Sequence, residues 1–288
     1  MTPATVKTLT PVTPAHTFSR ACRYEWRHLT ALRSTWILLG VVALLSLLTG
    51  LTILLDLDGQ SAASPAVAAD SITWAPLSTQ IPALGFFMLI FGTGPVSNDL
   101  ITGAARTTWL AVNGRRTAYA AKCAVGFTVG SAVAAISVLL GALSYAATLA
   151  VSGASQPVWT QVVAPAARFV AWMGCWALLC MALSALLRSR IVPVLLLVLW
   201  PLIGERIAGK LLEYLPGLDG VGNWLPFAAG RAMLTDASAY SGDDRSFVRA
   251  LVGSHLSPSE ATVVFCLYTA AITLAGMWAY CRRGPKAG

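Results

Sequence analysis

The chain has 288 residues, 56% of them hydrophobic and only 11% charged, with a formal net charge of +8. Soluble domains carry about 25% charged residues, so this composition excludes a water-soluble globular fold. The basic residues do not gather on one polar segment but flank the apolar runs, which argues against nucleic acid as a partner. Several runs reach the roughly 20 residues that a helix needs to cross a bilayer, so the expected class is an all-α integral membrane protein.

Residues 1–17 read as a disordered tail, and the polar stretch before the first apolar run is too long for a cleaved signal peptide. Residues 18–33, FSRACRYEWRHLTALR, have helical periodicity. Phe18, Cys22, Trp26 and Leu29 fall on one face, and Arg20, Arg23 and Arg27 on another. Such a basic amphipathic helix lies in a membrane interface with its arginines toward anionic headgroups. The simpler alternative is a basic flank that only orients the first span.

Six spans are predicted within a single domain, 18–283: 36–55, 77–96, 119–149, 165–187, 191–206 and 261–280. Residues 284–288 form a short tail. The first four connections and the ends carry an asymmetric charge. Arg20, Arg23, Arg27 and Arg33, then Arg106, Arg115, Arg116 and Lys122, then Arg188 and Arg190, then Arg282 and Arg283 all fall on one side. The opposite loops hold Asp56, Asp58 and Asp70, then nothing charged over 151–164, then a mixed segment over 205–260. By the positive-inside rule both termini are cytoplasmic.

The third span is long enough to tilt or project, and its Gly126-x-x-x-Gly130 has the spacing of a helix-packing seam, or of chance in a glycine-rich chain. The loop 97–116, SNDLITGAARTTWLAVNGRR, predicts a short helix over 104–112, with Ala105, Trp109 and Val112 on its apolar face and Asn113-Gly114 as its stop. The fifth span has 13 uncharged residues, 191–203, covering about 20 Å of a roughly 30 Å core. Either Glu205 and Arg206 form a neighbouring pair within the membrane envelope, or the span stops short and the chain re-enters. Two stretches beyond it, 207–214 and 223–234 (NWLPFAAGRAML), are too short to cross and read as re-entrant or interfacial helices. Residues 236–249 read as a solvated loop or short surface helix.

Gly204 to Lys210 spell G-x-x-x-x-G-K, the spacing of a phosphate-cradling loop. Leu211 stands where Ser or Thr must bind magnesium, and an apolar helical run stands where a strand must precede. The match is therefore coincidental, and Glu205, Arg206 and Lys210 become candidates for the outer rim of a pore. No catalytic residues are expected. The three histidines are scattered, no C-x-x-C occurs among the six cysteines, and no metal site is expected. The spans hold almost no titratable groups for ion coupling: Arg168 lies near the outer end of the fourth, and Asp99 at the inner end of the second.

Three stretches resemble the membrane subunit of bacterial ABC type-2 exporters. YEWRHLTALRSTWILL (24–39) is similar to that family's lead into its first span, through Glu25, Trp26, Leu29, Arg33, Ser34, Thr35 and Trp36. DLITGAARTTWLA (99–111) resembles its cytoplasmic loop through Gly103, Arg106 and Thr108, with Lys122 opening the next span. WLPFAAGRAML (224–234) resembles the segment before its last span. The loop departs from the family at Asp99, Leu100 and Ala104-Ala105.

The resemblance implies a permease whose ATP and magnesium are held by a separate ATPase subunit, with no cofactor bound directly. It implies that Arg20, Arg23, Glu25 and Arg27, with Asp99, Gly103, Arg106, Thr107 and Thr108, couple to that subunit. It also implies that two permease chains, identical or closely related, form the pore in the bacterial cytoplasmic membrane. The segment containing Leu225, Pro226 and Gly230 would cap the outer exit. An apolar pore favours a hydrophobic or amphipathic cargo such as an antibiotic, an apolar peptide or a lipid-like molecule. The competing classes are a non-transporting immunity or sequestration protein and an ion-coupled carrier.

Overall fold

The computed structural model describes residues 14–31, 33–51, 64–73, 82–102, 109, 114–189, 191–218, 220–240 and 242–282, and every regular element among them is helical. Helix α1 (Pro14–Ala31) begins inside the expected tail. It meets the helix that follows, α2 (Arg33–Leu47, continuing as helical residues to Leu51), at 71°. The bend is held by side chains of α2 that take up the otherwise unpaired carbonyls at the end of α1. Thr35 Oγ1 donates to the Leu29 carbonyl at 2.7 Å, and the Trp36 indole donates to that of Thr30 at 2.9 Å.

The face of α1 that meets the bundle carries Leu29 of the expected apolar row together with Ala21 and Glu25. Ala21, Glu25 and Leu29 are buried, whereas Phe18 and Trp26 are exposed beside the arginines. This face turns inward because Glu25 finds a buried cation and because Ala21 is small enough to touch Ala121.

Helix α3 (Pro65–Thr73) buries Ala68, Ala69 and Ile72 against Tyr145, Leu149 and Val162. It is followed by α4 (Ala83–Thr102), α5 (Arg115–Ser152, 38 residues) and α6 (Trp159–Leu187). The hub is α6: its most apolar stretch is 67% buried, against 39% for α5. The α5–α6 seam does use the expected glycines. A Cβ on Gly126 would collide with the Met181 methyl, and one on Gly130 would lie 2.9 Å from the Met173 carbonyl oxygen. Small residues also bring α2 onto α5, where Ser46 and Ser137 share a hydrogen bond of 2.7 Å.

Among the described residues four helices are long and apolar enough to cross a membrane: α5, α6, the continuous helix Ile191–Leu212, and α11 (Pro258–Arg282). The bent pair α1–α2 makes a fifth if counted as one span. The six expected spans are thus only partly matched. The apolar helical stretch within α4, Leu84–Gly94, is shorter than a full crossing, and 52–55 and 77–81 lie outside the described residues.

The expected stop in the fifth span is overturned. Helix α7 (Ile191–Leu199) passes through a π turn (Trp200–Gly204) into α8 (Glu205–Glu213) without a break. Pro201 has no N–H to give the regular ladder, and the wider turn accommodates it. Gly204 is required sterically, since a Cβ there would lie 2.6 Å from the Trp200 ring. The stretch 207–214 is consequently part of this helix rather than a separate re-entrant one.

Helix α9 (Pro226–Leu234) is buried through Ala228 to Leu234 against α6 and α11. Trp172, Trp176, Phe227 and Phe265 knot these elements together, Trp172 and Trp176 stacking at 4.8 Å. The Trp176 indole also donates to the Gly85 carbonyl of α4 at 3.0 Å. Helix α10 (Gly242–Val252) is a short surface helix with Val248 and Val252 turned into the core.

Asp70 of α3, expected in a solvated acidic loop, instead accepts a hydrogen bond from the Tyr240 hydroxyl. Burial pushes its carboxyl up to about 6, with the tyrosine hydrogen bond opposing. A raised carboxyl favours the protonated folded form. Its contribution is therefore full below about 4 and is lost as pH rises through about 6. The melting temperature of the purified protein should fall by a few degrees from pH 5 to pH 8, and Asp70→Asn should flatten that slope.

Candidate functional site

Two buried charge pairs mark the ends of the bundle. At one end Lys122 Nζ lies 2.7 Å from Glu25 Oε1, with both side chains less than 5% exposed. One turn from Lys122 along α5, Tyr119 packs on Tyr280 at the end of α11, which in turn meets Trp109. The Trp109 indole donates to the Tyr280 hydroxyl at 3.0 Å, and the Arg115 guanidinium stands 4.4 Å above the Trp109 ring. Arg115 Nη1 also donates to the Cys281 carbonyl at 2.9 Å. Of the residues expected to couple to a partner, Arg20, Arg23 and Arg27 are exposed along α1, whereas Glu25 is buried under it. Asp99 falls in the last turn of α4. Gly103, Arg106, Thr107 and Thr108, with the helix expected over 104–112 apart from Trp109, lie outside the described residues.

At the other end Glu205 is 2% exposed. Its partner is not the neighbouring Arg206, as one reading of the sequence had it, but Arg231 of α9, whose Nη1 lies 3.4 Å from Glu205 Oε2. Successive residues on a helix point about 100° apart, so Arg206 is turned away from the carboxylate. Glu205 Oε1 also accepts from the Phe227 amide at 2.8 Å. The residue before α9 is Leu225, which has no side-chain acceptor, so α8 supplies the missing cap and places a negative charge at the positive end of α9. Pro226 fits the first turn, where its missing N–H costs nothing. Arg231 completes its own bonding with the Val252 carbonyl at 2.8 Å and the Pro201 carbonyl, inside the π turn, at 3.4 Å. Burial pushes the guanidinium of Arg231 down, with the carboxylate of Glu205 opposing.

Beside this pair opens a pocket of about 820 Å³. Helix α8 contributes Arg206, Ile207 and Lys210 to its lining, α10 contributes Arg249, and the segment after α10 contributes Ser254 and His255. Glu205 is the acidic residue among its described lining, and Arg231 already answers it. Arg206, Lys210 and Arg249 leave three further positive charges on the wall, all exposed. Gly220, at φ 83°, and Gly222 turn the chain tightly here, and a Cβ on Gly222 would sit 3.5 Å from the Gly209 Cα.

The G-x-x-x-x-G-K stretch therefore lines a basic pocket, but from a helix whose amides are spent on the helical ladder, unlike a phosphate-cradling loop. Of the outer-rim candidates, Glu205, Arg206, Lys210 and Leu225 meet at the pocket. Gly230 does not: a Cβ there would lie 3.1 Å from the Phe265 ring, and its role is packing α9. Arg231 and Arg249 were missed by the sequence reading. The only signal for Arg231 was a lone charge inside an apolar stretch. Among the described residues no group of three or more His, Cys, Asp or Glu could hold a metal.

No protein-family model matches the chain, and a search of curated proteins found no match.

Proposed function

We propose that the chain is the membrane-spanning permease subunit of an ATP-driven exporter in a bacterial cytoplasmic membrane. In this reading it has six spans and cytoplasmic termini, and works as a pair with itself or a closely related chain. A separate subunit hydrolyses ATP, and the cargo is hydrophobic or amphipathic. The observation that carries the reading is the bracket around Glu25 and Lys122. An exposed basic helix turned 71° from α2 is fixed by a buried ion pair to the start of α5. Trp109 is fastened to the end of α11 in the same neighbourhood. A permease driven from outside itself needs such a stiff surface, through which a partner's movement reaches the spans.

The buried charges Glu25, Lys122, Glu205 and Arg231 are satisfied by one another at the ends of the bundle. That arrangement favours external power over ion coupling, which needs titratable groups near the midplane. The test is purification of the tagged chain from its native membranes. An ABC-type ATPase should co-purify in stoichiometric amount, and Arg106→Glu combined with Gly103→Pro should abolish export. Recovery without an ATPase, together with export unchanged in that variant, overturns the reading.

A further inference from the structure

We propose that the basic pocket beside Glu205 binds the phosphate-bearing headgroup of an anionic phospholipid, with an acyl chain laid along the exposed face of the helix Ile191–Leu212. The argument begins with depth. From Ile191, where this helix starts, to Lys210 is 19 residues, or about 28 Å of helix, close to the roughly 30 Å hydrocarbon thickness. Lys210 therefore stands at the level where phosphates lie if Ile191 begins at the opposite leaflet's boundary, and Arg206, one turn nearer the core, reaches that level with its long side chain.

The second strand of the argument is the face between these levels. Ile191, Leu195, Leu199, Ile203, Ile207 and Leu211 recur every fourth residue, and each is at least half exposed. Residues spaced by four form a row that winds slowly around a helix, so these six make a continuous apolar track along its exposed surface. Ile207 belongs to this row and also lines the pocket, so the apolar track ends at the cationic wall. The bilayer covers the track in either case, but a soluble anion would engage the wall alone. A phospholipid uses both.

Charge then selects the headgroup. Arg206, Lys210 and Arg249 exceed what Glu205 and Arg231 cancel between themselves, so a net anionic headgroup is favoured over a zwitterionic one. The volume of about 820 Å³ is far more than a bare phosphate fills and suits a glycerophosphate group with bound water.

The experiment needs no ATPase and no transport, so its failure is separate from failure of the permease reading. Protein is reconstituted in nanodiscs of phosphatidylcholine with one tenth phosphatidylglycerol, released, and the lipids retained on the protein are counted by native mass spectrometry. Phosphatidylglycerol should be retained well above its share of the bilayer. Lys210→Gln combined with Arg249→Gln should weaken that retention roughly 30-fold, at about a fivefold loss per charge. Millimolar inorganic phosphate should not displace the lipid.

Equal retention of both lipids, or a variant that retains phosphatidylglycerol as well as the parent, overturns the proposal. Displacement by inorganic phosphate overturns the lipid assignment in favour of a soluble anion. Both positions are exposed, so the single variants serve as a second set should the double one fail to fold. A second arm, Ile207→Gln with all cations kept, should lower retention of the diacyl lipid but leave binding of water-soluble glycerophosphoglycerol unchanged. Equal loss of both also counts against it.

Discussion

Arg231→Met is expected to destabilise the protein by about 3–5 kcal/mol, the usual cost of removing one member of a buried ion pair. The loss exceeds that of the guanidinium's own hydrogen bonds, because Glu205 would be left charged, 2% exposed and facing only the amide end of α9. In detergent the melting temperature should drop by about 10 °C. Glu205→Leu should cost a similar amount for a different reason: α9 loses the cap that Leu225 cannot supply. Combining the two substitutions should cost clearly less than the sum of the singles, since neither charge is then orphaned. Strict additivity in that cycle would show that the two side chains do not interact. The effect should centre on the pocket, because Arg231 also ties the π turn to the end of α10 through Pro201 and Val252.

Lys122→Ala should have the second-largest effect, again about 3–5 kcal/mol, but its signature should be local. Ala21 and Leu29 are the other buried anchors of α1, and neither is large enough to hold the helix against a buried, unpaired Glu25. Residues 18–31 should therefore lose hydrogen-exchange protection, while α6 and α11 keep theirs. Exchanging the charges, Glu25→Lys with Lys122→Glu, should restore much of the protection. If protection of α1 survives in Lys122→Ala, the pair does not anchor that helix.

The parts of this fold that were legible from sequence are those in which a single segment carries the information. Helices α5, α6 and α11 announce themselves by length and unbroken hydropathy, and the basic residues at their ends follow from the cost of burying charge in hydrocarbon. The parts that were not legible depend on residues far apart in the chain. Arg231 lies 26 residues from Glu205, and only the return of α9 against α8 unites them.

Glu25 entered the sequence reading only through the resemblance, and its burial depends on Lys122, 97 residues away. The apolar row Phe18, Cys22, Trp26 and Leu29 did not include Glu25, which lies on the buried side of α1. The short uncharged run 191–203 pointed to a helix stop, yet the helix passes through a π turn at Pro201 and runs on beyond Gly204. Helix α3 is short and alanine-rich, and its burial is decided by α5 and α6 rather than by its own sequence.

The length of α5 has a mechanical consequence. Between Arg115 and Ser152 it contains no proline and no break, and spans about 57 Å. Lys122 near one end grips α1, and Tyr145 and Leu149 near the other grip α3, about 34 Å further along. A helix this regular swings far more readily than it bends sharply, because kinks need a proline, an insertion or a comparable defect. A push on α1 would therefore reach α3 as a rotation of one stiff lever about its seam with α6. Where Gly130 lies against Met173, that seam is the natural fulcrum.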